Sequence, residues 1–132
     1  MSRQVQDAYI VAATRTPIGK APKGMFRHHR PDDLLVQAIR GALAQVPSLD
    51  PATIEDAIVG CAIPEAEQGL NMARIAVLLA GLPVSVGGVT VNRFCASGLT
   101  ALAMAADRIR VGEADVMIAA GAESMSMVPM MR

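Results

Sequence analysis

The nine residues Val91-Asn92-Arg93-Phe94-Cys95-Ala96-Ser97-Gly98-Leu99 decide how this chain folds. A short β-branched run, Val89 to Val91, stops at Asn92, and a long helical pattern follows from Ala96 to Val111 and closes at Gly112. A strand delivered straight into a helix is half of a βαβ crossover. The same alternation extends in both directions. Upstream, Met72 to Ala80 reads as a helix capped by Asn71, with Gly81 and Pro83 beyond its end. Before it lies an apolar strand, Ala57 to Ile63, stopped by Pro64, and before that a short turn at Asp50-Pro51-Ala52-Thr53. Pro31-Asp32-Asp33 opens an earlier helix, where proline suits the first turn and the acids favour the positive end of the dipole. Leu34, Leu35, Ala38, Ile39, Ala42, Leu43 and Val46 repeat along one face until Pro47. Tyr9 to Ala13 reads as a first buried strand ending at Arg15-Thr16-Pro17, followed by a loop from Ile18 to Arg30. Downstream, Asp115 to Ala120 is a fourth strand leading to a Met-rich loop, Gly121 to Arg132. The prediction is an α/β domain over residues 1–132, with a mostly parallel sheet. Its strands are continuously apolar, so helices are expected on both faces.

Composition supports a packed core: of 132 residues, 52% are hydrophobic and 18% charged. Aromatics are 2%, so the core must be built from Ala, Val, Ile, Leu and Met. Twelve basic and twelve acidic residues leave no formal charge, which argues against a nucleic-acid binder. The local basic stretch Lys20 to Arg30 fits either a solvated loop or a phosphate-facing loop. No apolar stretch approaches the roughly 20 residues of a membrane span, and no secretory signal is present, so a cytoplasmic protein with reduced thiols is expected. Cys61 and Cys95 have no Cys or His at a short interval, so no metal site is expected.

Cys95 occupies the junction of strand and helix, where unpaired backbone N–H groups and the helix dipole favour negative charge. Thiolate is the reactive form of cysteine. No charged residue follows until Asp107, so the helix is expected to be buried on most sides, with Cys95 at the bottom of a cleft. Small Ala96, Ser97 and Gly98 leave room for backbone N–H groups to approach an acyl oxygen. From position alone two readings stand, an ordinary buried cysteine and a nucleophile. Cys61, within an apolar strand, reads as structural.

The run VNRFCASGL, followed by Thr100, Ala101, Leu102 and Ile109, resembles the active-site cysteine motif of the thiolase family. RTPIGK at Arg15–Lys20, GMFRHHRPDDL at Gly24–Leu34, EQGLNMAR at Glu67–Arg74 and GAESMSMVPM at Gly121–Met130 resemble that family in the same order. EQGLNMAR and the late VPM are similar to the degradative 3-ketoacyl-coenzyme A thiolases. The resemblance implies a thiolase-like fold, here an incomplete N-terminal domain. It also implies ping-pong acyl transfer: Cys95 attacks the keto carbonyl, acetyl-coenzyme A departs, and a second coenzyme A takes the acyl group. The Cys95 N–H is expected to stabilise the oxyanion. Coenzyme A is a substrate, with no bound cofactor and no binding residue assigned to it. The intact protein is expected to be a homodimer or homotetramer, within reach of a multienzyme β-oxidation complex.

The family's activating His, second Cys and water-orienting Asn or His have no counterpart in these residues. His28 and His29 are the only histidines, and both sit in the basic loop. These 132 residues alone are therefore expected to have negligible turnover and to self-associate through uncovered apolar surface. Two alternatives remain, a β-ketoacyl-synthase-type condensing enzyme and a non-catalytic thiolase-derived interaction module. Met125, Met127, Met130 and Met131 admit an acyl-tunnel lining, a subunit contact or plain packing.

Overall fold

The computed structural model describes residues 5–130. Its order is α1 (Pro31–Leu43), β1 (Ile54–Gly60), α2 (Met72–Leu79), β2 (Val89–Val91), α3 (Ser97–Arg110) and β3 (Val116–Gly121). The three strands are parallel in the order β2-β1-β3. Ile58 pairs with Val89 on one side and Ala119 on the other.

The central strand β1 explains why its sequence is apolar almost throughout. Ile54, Ala57 and Val59 pack with Leu35, Val36 and Ile39 of α1 and with Ala73, Ala76 and Val77 of α2. Ile58 points the other way, onto Ala101 and Ala105 of α3. Helices therefore cover both faces, as continuous apolar strands require. Each fully buried Leu or Ile contributes about 2 kcal/mol by leaving water, which places most of the core between β1 and the α1–α2 layer. Local signals fix the helix starts. Pro31 occupies the first turn of α1, and the Asn71 side chain accepts the Arg74 N–H at 3.3 Å at the start of α2.

Three sequence expectations need correction. Tyr9 to Ala13 forms no strand. Tyr9 is 77% exposed, and Ile10 and Val11 are also exposed. The Gln45 side chain satisfies Ala13 instead, accepting its N–H at 3.2 Å and donating to its carbonyl at 2.9 Å. Strand state requires a neighbouring strand, and none of the described residues supplies one here. The second strand begins at Ile54 rather than Ala57 and ends at Gly60, so Cys61 lies just past its carboxyl end. Glu55 and Asp56 fit inside the strand because each has a partner. Glu55 accepts the Asp115 N–H at 3.1 Å, and Asp56 pairs with Arg108 at 2.8 Å.

The third correction concerns α3, which is not buried on most sides. Ser97, Ala101 and Ala105 face the sheet, while Leu99 is 72% exposed and Leu102 and Met104 are also exposed. One side of the helix meets β1 and β3, and nothing among the described residues covers the other. No helix among the described residues is long and apolar enough to cross a membrane.

Candidate active site

The carboxyl ends of all three strands open onto one place. β1 runs into Cys61-Ala62-Ile63, β2 into Asn92-Arg93-Phe94-Cys95, and β3 into Ala122-Glu123-Ser124. Neighbouring strands β1 and β2 send their chains to helices on opposite faces, so a crevice opens between them. Its open cavity, about 770 Å³, is lined by Ile63, Phe94, Cys95, Gly98, Glu123 and Met130 among others.

Cys95 sits on a sharp turn that ends the strand and starts α3. Phe94 carries φ +49°, in the left-handed region, at a cost of about 1–2 kcal/mol for a residue with a side chain. Neighbouring groups hold it there. Asn92 Oδ1 accepts the Phe94 N–H at 2.9 Å, while its Nδ2 donates to the Ala62 carbonyl at 3.0 Å and ties the turn to the β1 loop. Ala96 N–H donates to the Arg93 carbonyl at 3.1 Å, and Ser97 N–H to that of Phe94 at 3.1 Å. The Ser97 hydroxyl accepts the Arg93 N–H at 2.8 Å and donates to the Phe94 carbonyl at 2.6 Å. The N–H groups of Cys95, Gly98 and Leu99 donate to no acceptor among the described residues. An anion beside the Cys95 sulfur would find free donors at a helix start.

Glycines bring that helix end close to the sheet. A Cβ on Gly60 would lie 2.4 Å from the Ser97 carbonyl carbon and 2.5 Å from Gly98 N. A Cβ on Gly121 would stand 3.6 Å from Gly98 Cα. The contact is backbone on backbone, as glycine permits.

Cys61, on the neighbouring strand end, is enclosed instead. It is fully buried, and Gln68 Nε2 stands 3.6 Å from its sulfur and Glu123 Oε1 3.8 Å. Burial, and then the Glu123 charge, push its thiol up to about 11. It stays protonated at neutral pH, in keeping with a structural role. Glu123 reaches back from the end of β3 to accept Ala62 N–H at 2.8 Å, Ile63 N–H at 3.3 Å and Gln68 Nε2 at 2.7 Å. Gln68 is itself fully buried, donates to the Ile63 carbonyl at 2.8 Å and accepts the Ser124 N–H.

The nucleophile candidate therefore lies at the expected junction, but it is exposed on the cleft wall, not sunk at its bottom. The uncovered face of α3 accounts for the difference. The basic loop lends no side chain to this cleft, and its His29 ring stacks edge-on against Phe26 at 5.3 Å. Met125 and Met130 line the cavity, whereas Met127 does not and Met131 lies outside the described residues. Sequence reasoning missed Asn92, Ser97, Gln68 and Glu123. Among the described residues no three His, Cys, Asp or Glu side chains gather as a metal site would need.

Comparison with known proteins covers nearly the whole chain. The thiolase N-terminal domain family matches residues 8–132. The 3-ketoacyl-CoA thiolase of Bacillus subtilis is 52% identical over 127 residues, 96% of this chain and 32% of that protein. A protein of the same name from Vibrio cholerae is 48% identical over 121 residues, 92% of this chain and 31% of that one. The crystal structure of the Bacillus anthracis acetyl-CoA acetyltransferase superposes with a TM-score of 0.86 at 34% identity, over 95% of this chain and 31% of that one. The chain spans about a third of the length of the curated relatives it matches.

Proposed function

This chain belongs to the thiolase family, and from that premise we propose that Cys95 is the acyl-accepting thiol of a coenzyme A-dependent acyl transferase. The observation that carries the reading is the turn itself: a cysteine on a held, left-handed junction, open to a cleft, with free N–H donors beside it. In the degradative direction, the Cys95 thiolate attacks the C3 carbonyl of a 3-ketoacyl-coenzyme A. The electron pair goes to oxygen, where the free N–H groups receive it. Collapse breaks the C2–C3 bond, and the acetyl-coenzyme A carbanion takes up a proton. The acyl group remains as a thioester on Cys95. The thiol of a second coenzyme A, having lost its proton to a base, attacks that thioester, and Cys95 leaves as thiolate. Run backwards, the same steps make acetoacetyl-coenzyme A.

His28, His29 and Cys61 do not line the cleft, so none of them serves as the base or the proton donor in this reading. Coenzyme A thioesters are thus substrates and not resident cofactors. The intact protein is proposed to be a cytoplasmic homodimer or homotetramer acting in fatty acid oxidation, and able to join a β-oxidation assembly. The exposed apolar residues of α3 and of Tyr9–Val11 support further association.

The test is to trap the intermediate. Intact protein incubated with acetyl-coenzyme A and quenched in acid should carry one acetyl mass increment on the peptide containing Cys95. Cys95→Ser should carry none and lose thiolysis. An unmodified Cys95 in an active enzyme would remove the proposal. Dependence on acyl carrier protein in place of coenzyme A would favour a β-ketoacyl synthase instead.

A further inference from the structure

We propose that Ser97 is a positioning residue, whose buried hydroxyl fixes the turn that aims the Cys95 sulfur. This rests on the reading of Cys95 as the acyl-accepting thiol. A serine at a helix start ordinarily bonds forward, to the N–H groups of the first turn. Ser97 does not: α3 has no side-chain cap, and the hydroxyl turns back to residues before the cysteine. It takes the Arg93 N–H and gives its own proton to the Phe94 carbonyl, so its two bonds span the backbone from one residue before Phe94 to the peptide that joins Phe94 to Cys95.

Phe94 is the residue held against its preference, with φ +49° and a side chain 76% exposed. Its ring therefore supplies little packing to keep the backbone there. The hydroxyl supplies what the ring does not, because Ser97 cannot retreat. It is 3% exposed, and the Gly60 backbone lies against its carbonyl so closely that no Cβ fits between. Asn92 restrains the other end of the turn through Ala62. Removing one oxygen atom would leave the Arg93 N–H without a partner and let the Phe94 peptide relax toward ordinary φ. The sulfur, one residue on, would turn with it.

Three readouts on the intact protein test this. Ser97→Ala should keep its fold and its KM, while kcat falls roughly tenfold to a hundredfold, as displacement of a reacting atom by about an ångström does. Ser97→Thr, which retains the hydroxyl oxygen, should recover most of kcat. In the wild type the Arg93 amide should exchange slowly with deuterium although its residue is exposed, and this protection should vanish in Ser97→Ala. An unchanged kcat in a folded Ser97→Ala, or a fall that Ser97→Thr does not reverse, would overturn the proposal. If Ser97→Ala does not fold, rapid Arg93 exchange in the wild type would overturn it. Failure of Cys95 to form an acyl adduct is a separate result. It removes the catalytic reading, while amide exchange still decides whether the clasp exists.

Discussion

Two cysteines leave neighbouring parallel strands at the same end of one sheet and meet opposite surroundings. Cys61 follows β1 to a fully buried position behind Gln68 and Glu123, with its thiol pushed up to about 11. Cys95 follows β2 onto an exposed turn beside unpaired N–H groups. Position at the carboxyl edge of a sheet thus selects candidates, and the neighbouring backbone and side chains decide between them. One thiol is kept protonated and shielded, and the other is held out to a cleft.

The largest test of this contrast is chemical labelling. In the folded chain, iodoacetamide should alkylate Cys95 about a thousandfold faster than Cys61 near neutral pH, since reaching Cys61 requires local opening of several kcal/mol. Peptide mass spectrometry over time measures the ratio, and equal rates would erase the distinction. Next, Glu123→Ala should destabilise the fold by about 3 kcal/mol, because it strands the Ala62 and Ile63 N–H groups and part of Gln68. It should also make Cys61 accessible to the reagent. Denaturant unfolding checks the first effect and labelling the second.

Gly60→Ala should cost about 2 kcal/mol in the same unfolding assay, and it should displace the α3 end that carries the Cys95 turn. The smallest effect is with pH. The Cys61 thiol titrates at about 11 in the fold, against an ordinary value of 9.0. Its contribution to stability is fully present below pH 9 and is lost as pH rises toward 11, because only the unfolded chain releases that proton in the interval. Cys61→Ala should lack this part of the alkaline loss. Identical alkaline profiles for the two proteins would show that the thiol is not held protonated.

Much of the architecture was legible because parallel strands buried on both faces leave short apolar runs bounded by glycine and proline. β2 and β3 follow that pattern, while α1, α2 and α3 show in helical spacing and in the proline, asparagine and glycine at their ends. Tyr9 to Ala13 has the same composition as those strands, yet its state depends on a partner that no local pattern encodes. Glu55 and Asp56 hid the start of β1, since their partners lie some fifty to sixty residues away, at Asp115 and Arg108. The place of Cys95 between a strand and a helix was legible from the β-branched run before it and the helical pattern after it. Glu123 was not, because one acid at the edge of a methionine-rich loop gives no hint that it will anchor a turn sixty residues upstream. Ser97 looked like a small residue chosen for space, and only the direction of its hydrogen bonds shows otherwise.

The meeting of Gly60, Gly98 and Gly121 has a consequence for how this sequence can drift. Where two stretches of main chain touch with no side chain between them, their separation is a property of the polypeptide itself. Aliphatic residues elsewhere can be exchanged for others of similar bulk, and the layers can slide by tenths of an ångström to accommodate them. The spacing at this one spot acts as a fixed gauge, so the sulfur's height above the sheet should be inherited unchanged by variants whose interiors have been extensively rewritten.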